Sequence, residues 1–213
     1  MVKPSPHQLL VEGKNDQHVI WALCARYGLS EVFTVETPKN DIGGIDVLLK
    51  SLPIRLREEN LQVLGVVIDA DQNITSRWEA VRQRFFHTGY SEIPHAVPVE
   101  GWVSSRVGVP RVGIWLMPNN QFPGMLEDFV QLLLPTDDPL RPKAERVLED
   151  IELSGLNRYQ LSHHSKALIH TWLAWQEPPG MPMGQAITAR ALHYDSPLAV
   201  TFINWLKRLF ELP

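Results

Sequence analysis

The run LQVLGVVIDAD, Leu61 to Asp71, limits the possible folds more than any other stretch of the chain. Its residues are β-branched or apolar on both alternating sets, with no polar face. A strand buried on both sides reads this way, and such strands belong to parallel sheets covered by helices. The run then stops on two acids separated by one alanine. In an open α/β sheet, ligands bind beyond the carboxyl ends of the strands. The fold signal and the chemical signal therefore meet at one point.

The rest of the chain fits a sheet of that kind. His7 to Glu12 reads as a short buried strand. From Asp16 to Tyr27, Val19, Ile20, Leu23 and Cys24 recur at helical spacing, and Gly28 supplies a stop. Val32 to Val35 is a second strand, and Pro38 to Gly44 is a polar loop. Ile45, Leu48, Leu49 and Leu52 predict a helix that Pro53 interrupts or ends. Thr75 to His87 is helical, Val112 to Met117 is a strand, and Met125 to Leu134 is helical. Ser91 to Arg111 carries no clear pattern. The alternation predicts an α/β fold with a mostly parallel central sheet flanked by helices.

After Pro135 the pattern changes. The polar connection TDDPLRPK leads into helices alone: Ala144 to Leu153, Ser165 to Trp175, Gln185 to Leu192, and Pro197 to Phe210. The expected organisation is an α/β domain over residues 1–135 and an all-helical C-terminal extension over 136–213, packed on it. A chain of 213 residues has room for this, at about 100–200 residues per domain.

Composition narrows the function classes. With 44% hydrophobic and 21% charged residues the chain reads as globular rather than disordered. The formal net charge of −4 is not that of a strongly basic nucleic-acid binder, so such a role needs a local basic patch or bound cations. Cys24 is the only cysteine and sits in a helical apolar setting, which excludes an internal disulfide and a Cys-rich zinc site. No stretch reaches the ~18 consecutive apolar residues of a membrane span. The opening MVKPSPHQ lacks the apolar run of a signal peptide. The expectation is a cytoplasmic protein with no membrane partner; its oligomeric state is not legible.

Glu12 ends the first strand, in VEGKND, and Asp69 and Asp71 end the central one. If those strands lie close, three carboxylates converge on one rim and repel in a partly dry site. A hard divalent cation relieves that repulsion. Mg²⁺ prefers oxygen ligands and is held by one or two carboxylates plus waters and substrate phosphates. Gly13 behind Glu12 suggests a tight turn and a close approach of phosphate to backbone. Asp16 is either the cap of the following helix or an outer hydrogen-bonding partner of the site. Glu127, after another strand, is either a further carboxylate at the rim or an acid favoured in a first helical turn. Lys14, Lys39 and Lys166 are candidate phosphate contacts.

VEGKNDQHVI followed by VVIDAD resembles the Toprim domain, the catalytic fold of topoisomerases, DnaG-type primases and OLD-family nucleases. The resemblance covers roughly the first 130 residues. It is nearest to bacterial Toprim-like proteins of unknown function, which are also similar over KALIHTWLAWQEPPGMPMGQAITA. By position, Glu12 matches the family's glutamate, and Asp69 and Asp71 match its aspartate pair. The resemblance implies Mg²⁺- or Mn²⁺-dependent phosphoryl transfer on nucleic acid. Glu12 would be a general acid/base or a cation ligand, and Asp69 and Asp71 would hold the ion. No primase-type zinc cluster is present, and no strand-cleaving tyrosine stands out among Tyr27, Tyr90, Tyr159 and Tyr194. A nuclease is the enzyme this favours. The alternative is a non-catalytic or partner-dependent metal-binding module working with a separate protein such as an ATPase.

Other residues read more plainly. No GxxxxGK[ST] phosphate loop occurs. A haloacid-dehalogenase phosphatase wants Thr or Val where Asn73 stands. His163, His164 and His170 have no acid at ligand spacing and read as solvated or capping. Trp172 and Trp175 read as core or interface before base stacking. Asn119 and Asn120 either line the rim or make the turn.

Overall fold

The computed structural model describes residues 5–29, 32–38 and 44–213. Among them run β1 (His7–Val11), α1 (Lys14–Arg26), β2 (Thr34–Glu36), α2 (Gly44–Arg55), β3 (Val63–Asp69), α3 (Ile74–Phe86), β4 (Trp102–Ser104) and β5 (Arg111–Met117). Five helices follow: α4 (Leu126–Gln131), α5 (Arg141–Leu153), α6 (His164–Ala174), α7 (Met183–Thr188) and α8 (Pro197–Phe210). The fold is α/β, a mostly parallel sheet flanked by helices, as the alternation predicts. Its strand order is β2-β1-β3-β5-β4. The β1, β2, β3 and β5 strands are parallel, and only β4 is antiparallel, to β5.

β3 is central because its sequence permits nothing else. Every residue from Val63 to Ile68 is buried. Its two faces feed two separate cores. Val63 and Val67, with Leu9, Val11, Trp115 and Met117, pack under α1, α4 and the C-terminal helices. Leu64, Val66 and Ile68, with Leu10, Ile114 and Leu116, pack under α2 and α3. The C-terminal helices thus share one core with the sheet.

The mid-sheet seat of α8 is cut by two glycines. Gly65 and Gly113 face each other in register on β3 and β5. A Cβ at Gly65 would stand 2.8 Å from Leu209, and one at Gly113 2.9 Å. Their absence leaves a trough that Leu209 fills. α8 starts on Ser196, whose Oγ accepts the Ala199 N–H at 3.2 Å, with Pro197 in the first turn, where its missing N–H has no helical partner to lose. α7 lies equally close to α1: a Cβ on Gly184 would come within 2.6 Å of the His18 carbonyl oxygen.

Four expectations shift. The α2 helix continues through Pro53 to Arg55, because a proline so near the end breaks little of the remaining hydrogen-bond ladder. The second strand is shorter than Val32 to Val35 and displaced, running only from Thr34 to Glu36 at the sheet edge. The unpatterned stretch from Ser91 to Arg111 hides β4, too short at three residues to show a period. The helix after β5 stops at Gln131, not Leu134. No helix among the described residues is long and apolar enough to cross a membrane.

Candidate functional site

Parallel pairing in register brings the ends of β1 and β3 side by side, Val11 opposite Val67. Glu12 then reaches across: its Oε1 accepts the backbone N–H of Asp69 at 2.8 Å. Asp69 in turn reaches the next element, its Oδ1 accepting the N–H of Leu126 at 2.9 Å. Leu126 opens α4, so Asp69 satisfies one of the donors that every helix start leaves free. The neighbouring residue, Glu127, is buried at 4% exposure. Its Oε1 pairs with Lys166 Nζ at 3.2 Å.

Asp16 completes the group. Its Oδ2 accepts the Gly13 N–H at 3.1 Å, the backward half of a capping box at the start of α1. Among the described residues its Oδ1 is buried without any partner. A buried, unsatisfied carboxylate oxygen is costly, since the charged form keeps neither water nor donor there.

Burial sets the electrostatics of these acids. Burial and then the charge of Glu12 push Asp16 up to about 7, against hydrogen bonds from its own and the Gly13 backbone that pull it down. Burial pushes Asp69 well above the usual carboxylate range, and Asp16, Glu12, Glu127 and Asp71 add to it in that order. Glu12 is also raised by burial, held back by the Asp69 N–H and the positive charge of Arg77. Glu12, Asp16, Asp69 and Glu127 therefore feel one another in a partly dry pocket.

Asp71 has another partner. Its carboxylate is taken by the Arg77 guanidinium. Among the described residues, no three His, Cys, Asp or Glu side chains form a ready-made metal-holding group. Each of the three acids is also engaged locally: one oxygen each of Glu12 and Asp69 is held by a backbone N–H, and Asp71 is held by Arg77. The chemistry of the donors still suits a hard cation. All are carboxylates, one buried oxygen lacks any donor, and Mg²⁺ needs only one or two such ligands with water completing its shell.

The remaining candidates divide clearly. The tight-turn reason for Gly13 does not hold: its backbone is extended (φ −151°), and an added Cβ would make an ordinary 3.5 Å contact with Asp16 Oδ2. Lys14 is exposed, its Nζ 3.4 Å from Gln17 Oε1. Lys166 stands beside the cluster through Glu127. Lys39 lies outside the described residues. Asn73 caps α3, accepting the Ser76 N–H at 2.9 Å.

Asn119 and Asn120 make the turn. Asn119 Oδ1 accepts the N–H groups of Gln121 and Phe122, while Asn120 Oδ1 accepts the Leu116 N–H at 2.7 Å. His164 Nδ1 sits 2.8 Å from Glu152 Oε1, on the surface of the C-terminal helices. Trp172 is core. Arg77 escaped the sequence reading, although it lies one helical turn beyond the cap that follows Asp-Ala-Asp, where a side chain can double back on that motif.

The family model described as "Protein of unknown function (DUF3226)" matches residues 6–211, and the chain belongs to that family. No curated protein matches it. No solved structure matches it either.

Proposed function

We propose that this DUF3226 chain is a Toprim-like, cytoplasmic, divalent-cation-dependent enzyme that acts on nucleic-acid phosphodiesters, a nuclease in its simplest form. One observation carries the reading: at the carboxyl edge of a parallel sheet Glu12 reaches across to the Asp69 N–H, and Asp16, bonded to the Gly13 N–H next to Glu12, keeps a buried carboxylate oxygen with no donor among the described residues. Structural ion networks neutralise such groups by pairing. Here Lys166 is the one cation bonded to any of the four acids Glu12, Asp16, Asp69 and Glu127 among the described residues. Acids that outnumber the cations bonded to them at a ligand-binding edge suit a cation that arrives from solution and takes the place of their protons.

In this reading Asp69 and Glu12 hold Mg²⁺ or Mn²⁺, and Asp16 and Glu127 supply negative charge beside them. The bound ion would neutralise charge developing on the phosphate and orient the attacking group. Glu12, whose carboxyl burial pushes up from the usual carboxylate range, is the group of the four that would exchange a proton with the substrate. Lys166, fixed by Glu127 and half-exposed, can reach toward an incoming phosphate. The test is cleavage of labelled DNA and RNA oligonucleotides by purified protein with Mn²⁺. Activity in the wild type that Asp69→Asn abolishes supports the proposal; equal activity in both removes it.

A second reading has its own support. Because Glu12, Asp69 and Asp71 are each engaged by protein donors, the site rests in a form that a partner protein or substrate must open. The chain would then be a cation-binding module that works only in a complex. Robust cleavage by the isolated chain would argue against it.

A further inference from the structure

Beside the acid cluster runs a cleft of about 770 Å³, a size typical of small-molecule sites. One wall is the start of α3, with Asp71, Ser76 and Arg77. The other belongs to the turn that leads into α6, with Ser162, His163 and Ser165. Thus the C-terminal helices close one side of a groove lined mainly by the Asp-Ala-Asp segment, the start of α3 and the turn into α4 with Asp128.

Asp71 is placed with unusual care. It is one of the few non-glycine residues with left-handed backbone, φ 52°. That conformation is locked by a two-way bridge with Gly124: Asp71 N–H donates to the Gly124 oxygen at 2.9 Å, and Gly124 N–H donates back at 2.7 Å. Left-handed backbone outside glycine persists where surrounding structure enforces it, and it concentrates at functional sites. The effect here is to aim the Asp71 carboxylate at Arg77. The Asp71 side chain is half exposed, whereas only 15% of the Arg77 side chain is. Arg77 is therefore fixed and shielded, and its partner is the more open of the two.

A guanidinium binds carboxylate and phosphate with the same planar fork. Arg77 stands near enough to the acid cluster for its charge to act on Glu12. We propose that the cleft is the channel for a nucleic-acid strand, in which Arg77 holds a backbone phosphate and Asp71 is the internal anion that this phosphate displaces. The identity of the strand rests on the phosphodiester reading above; the anion site itself rests on Arg77 and the cleft. In consequence the two aspartates of the motif have separate jobs. Asp69 serves the cation, and Asp71 positions Arg77.

The experiment pairs two readouts on the full chain. Mn²⁺ binding is followed by the loss of its free electron-paramagnetic signal. Binding of fluorescein-labelled single-stranded DNA and RNA is followed by anisotropy in Ca²⁺ across a salt series, with gels to monitor cleavage. Arg77→Gln is expected to weaken oligonucleotide binding at least tenfold and to reduce the salt slope by about one, with Mn²⁺ binding kept or strengthened, since a positive charge near Glu12 is removed. Arg77→Lys, which keeps charge but not the fork, should fall between. Asp71→Asn should keep Mn²⁺ affinity and bind oligonucleotide severalfold more tightly, whereas Asp69→Asn should lose Mn²⁺.

Wild-type affinity and slope in Arg77→Gln would overturn the proposal. So would an Asp71→Asn variant that loses Mn²⁺ as Asp69→Asn does, or a wild type that binds neither oligonucleotide. The cation reading fails separately, if wild type takes up no Mn²⁺ while the Arg77 dependence of oligonucleotide binding persists.

Discussion

The middle of the sheet and its carboxyl edge are built from the same strands and follow opposite rules. In the middle, β3 and β5 give up two side chains, at Gly65 and Gly113, so that Leu209 can fill the space. Trp205 lies beside it with its Nε1–H donated to the Trp102 carbonyl at 3.1 Å. At the carboxyl ends of β1 and β3 and the starts of α1 and α4 stand Glu12, Asp69, Asp16 and Glu127, and one Asp16 oxygen has no donor among the described residues. The middle does hold one unpaired atom of its own, Trp115 Nε1, but a neutral N–H is far cheaper to strand than a carboxylate. The middle is close-packed and apolar, whereas the edge holds acids whose charged forms burial disfavours.

The largest expected effect lies at the edge. Asp16 in the folded chain sits at about 7, above its ordinary value, so the folded state holds a proton that the unfolded chain releases. Stability from that group is full below about pH 4 and is lost as pH rises through 7. A rise from 3.8 to about 7 corresponds to at most about 4 kcal/mol. Urea denaturation of metal-free protein should therefore give lower stability at pH 8 than at pH 5. Asp16→Asn should make that profile shallower without abolishing it, since Asp69 and Glu12 are raised as well, and a flat wild-type profile would erase the contrast between the two regions.

Next comes the middle. Leu209→Ala should lose about 3 kcal/mol, as large-to-small core changes do, with the same loss at pH 5 and pH 8. A pH-dependent loss would mean that the two regions are not separate. Smaller again, Gly65→Ala should cost about 1–3 kcal/mol by overpacking against Leu9 and Leu209. In the Leu209→Ala background that penalty should shrink, because the added methyl finds room; full additivity would show that Leu209 does not fill the trough. The smallest effect is the cap of α3: Asn73→Ala should cost about 1 kcal/mol by thermal or urea unfolding, by stranding the Ser76 N–H.

What could be read from the sequence follows the same division. LQVLGVVI announces a strand buried on both faces, because a solvent face would show polar residues at alternate positions. The stop on Asp69, and the earlier stop on Glu12, could be read because strand ends in a parallel sheet share one edge. The bonding of each acid could not. Arg77 meets Asp71 only after a left-handed residue and a cap turn the chain back. No spacing rule distinguishes a carboxylate aimed at a guanidinium from one aimed at a cation. Likewise β4 is assigned by its hydrogen bonds to β5, since three residues carry no period. The role of Asp16 was open between cap and site, and the structure gives it a cap bond on one oxygen and none on the other.

The central claim is that Glu12 and Asp69, brought together by β1 and β3, seat a divalent ion. Its most direct test is a crystal grown with Mn²⁺ and measured at the manganese absorption edge. The account predicts an anomalous peak within ligand distance of Glu12 and Asp69, absent in Asp69→Asn. No peak there, or a peak that the substitution leaves in place, would contradict it.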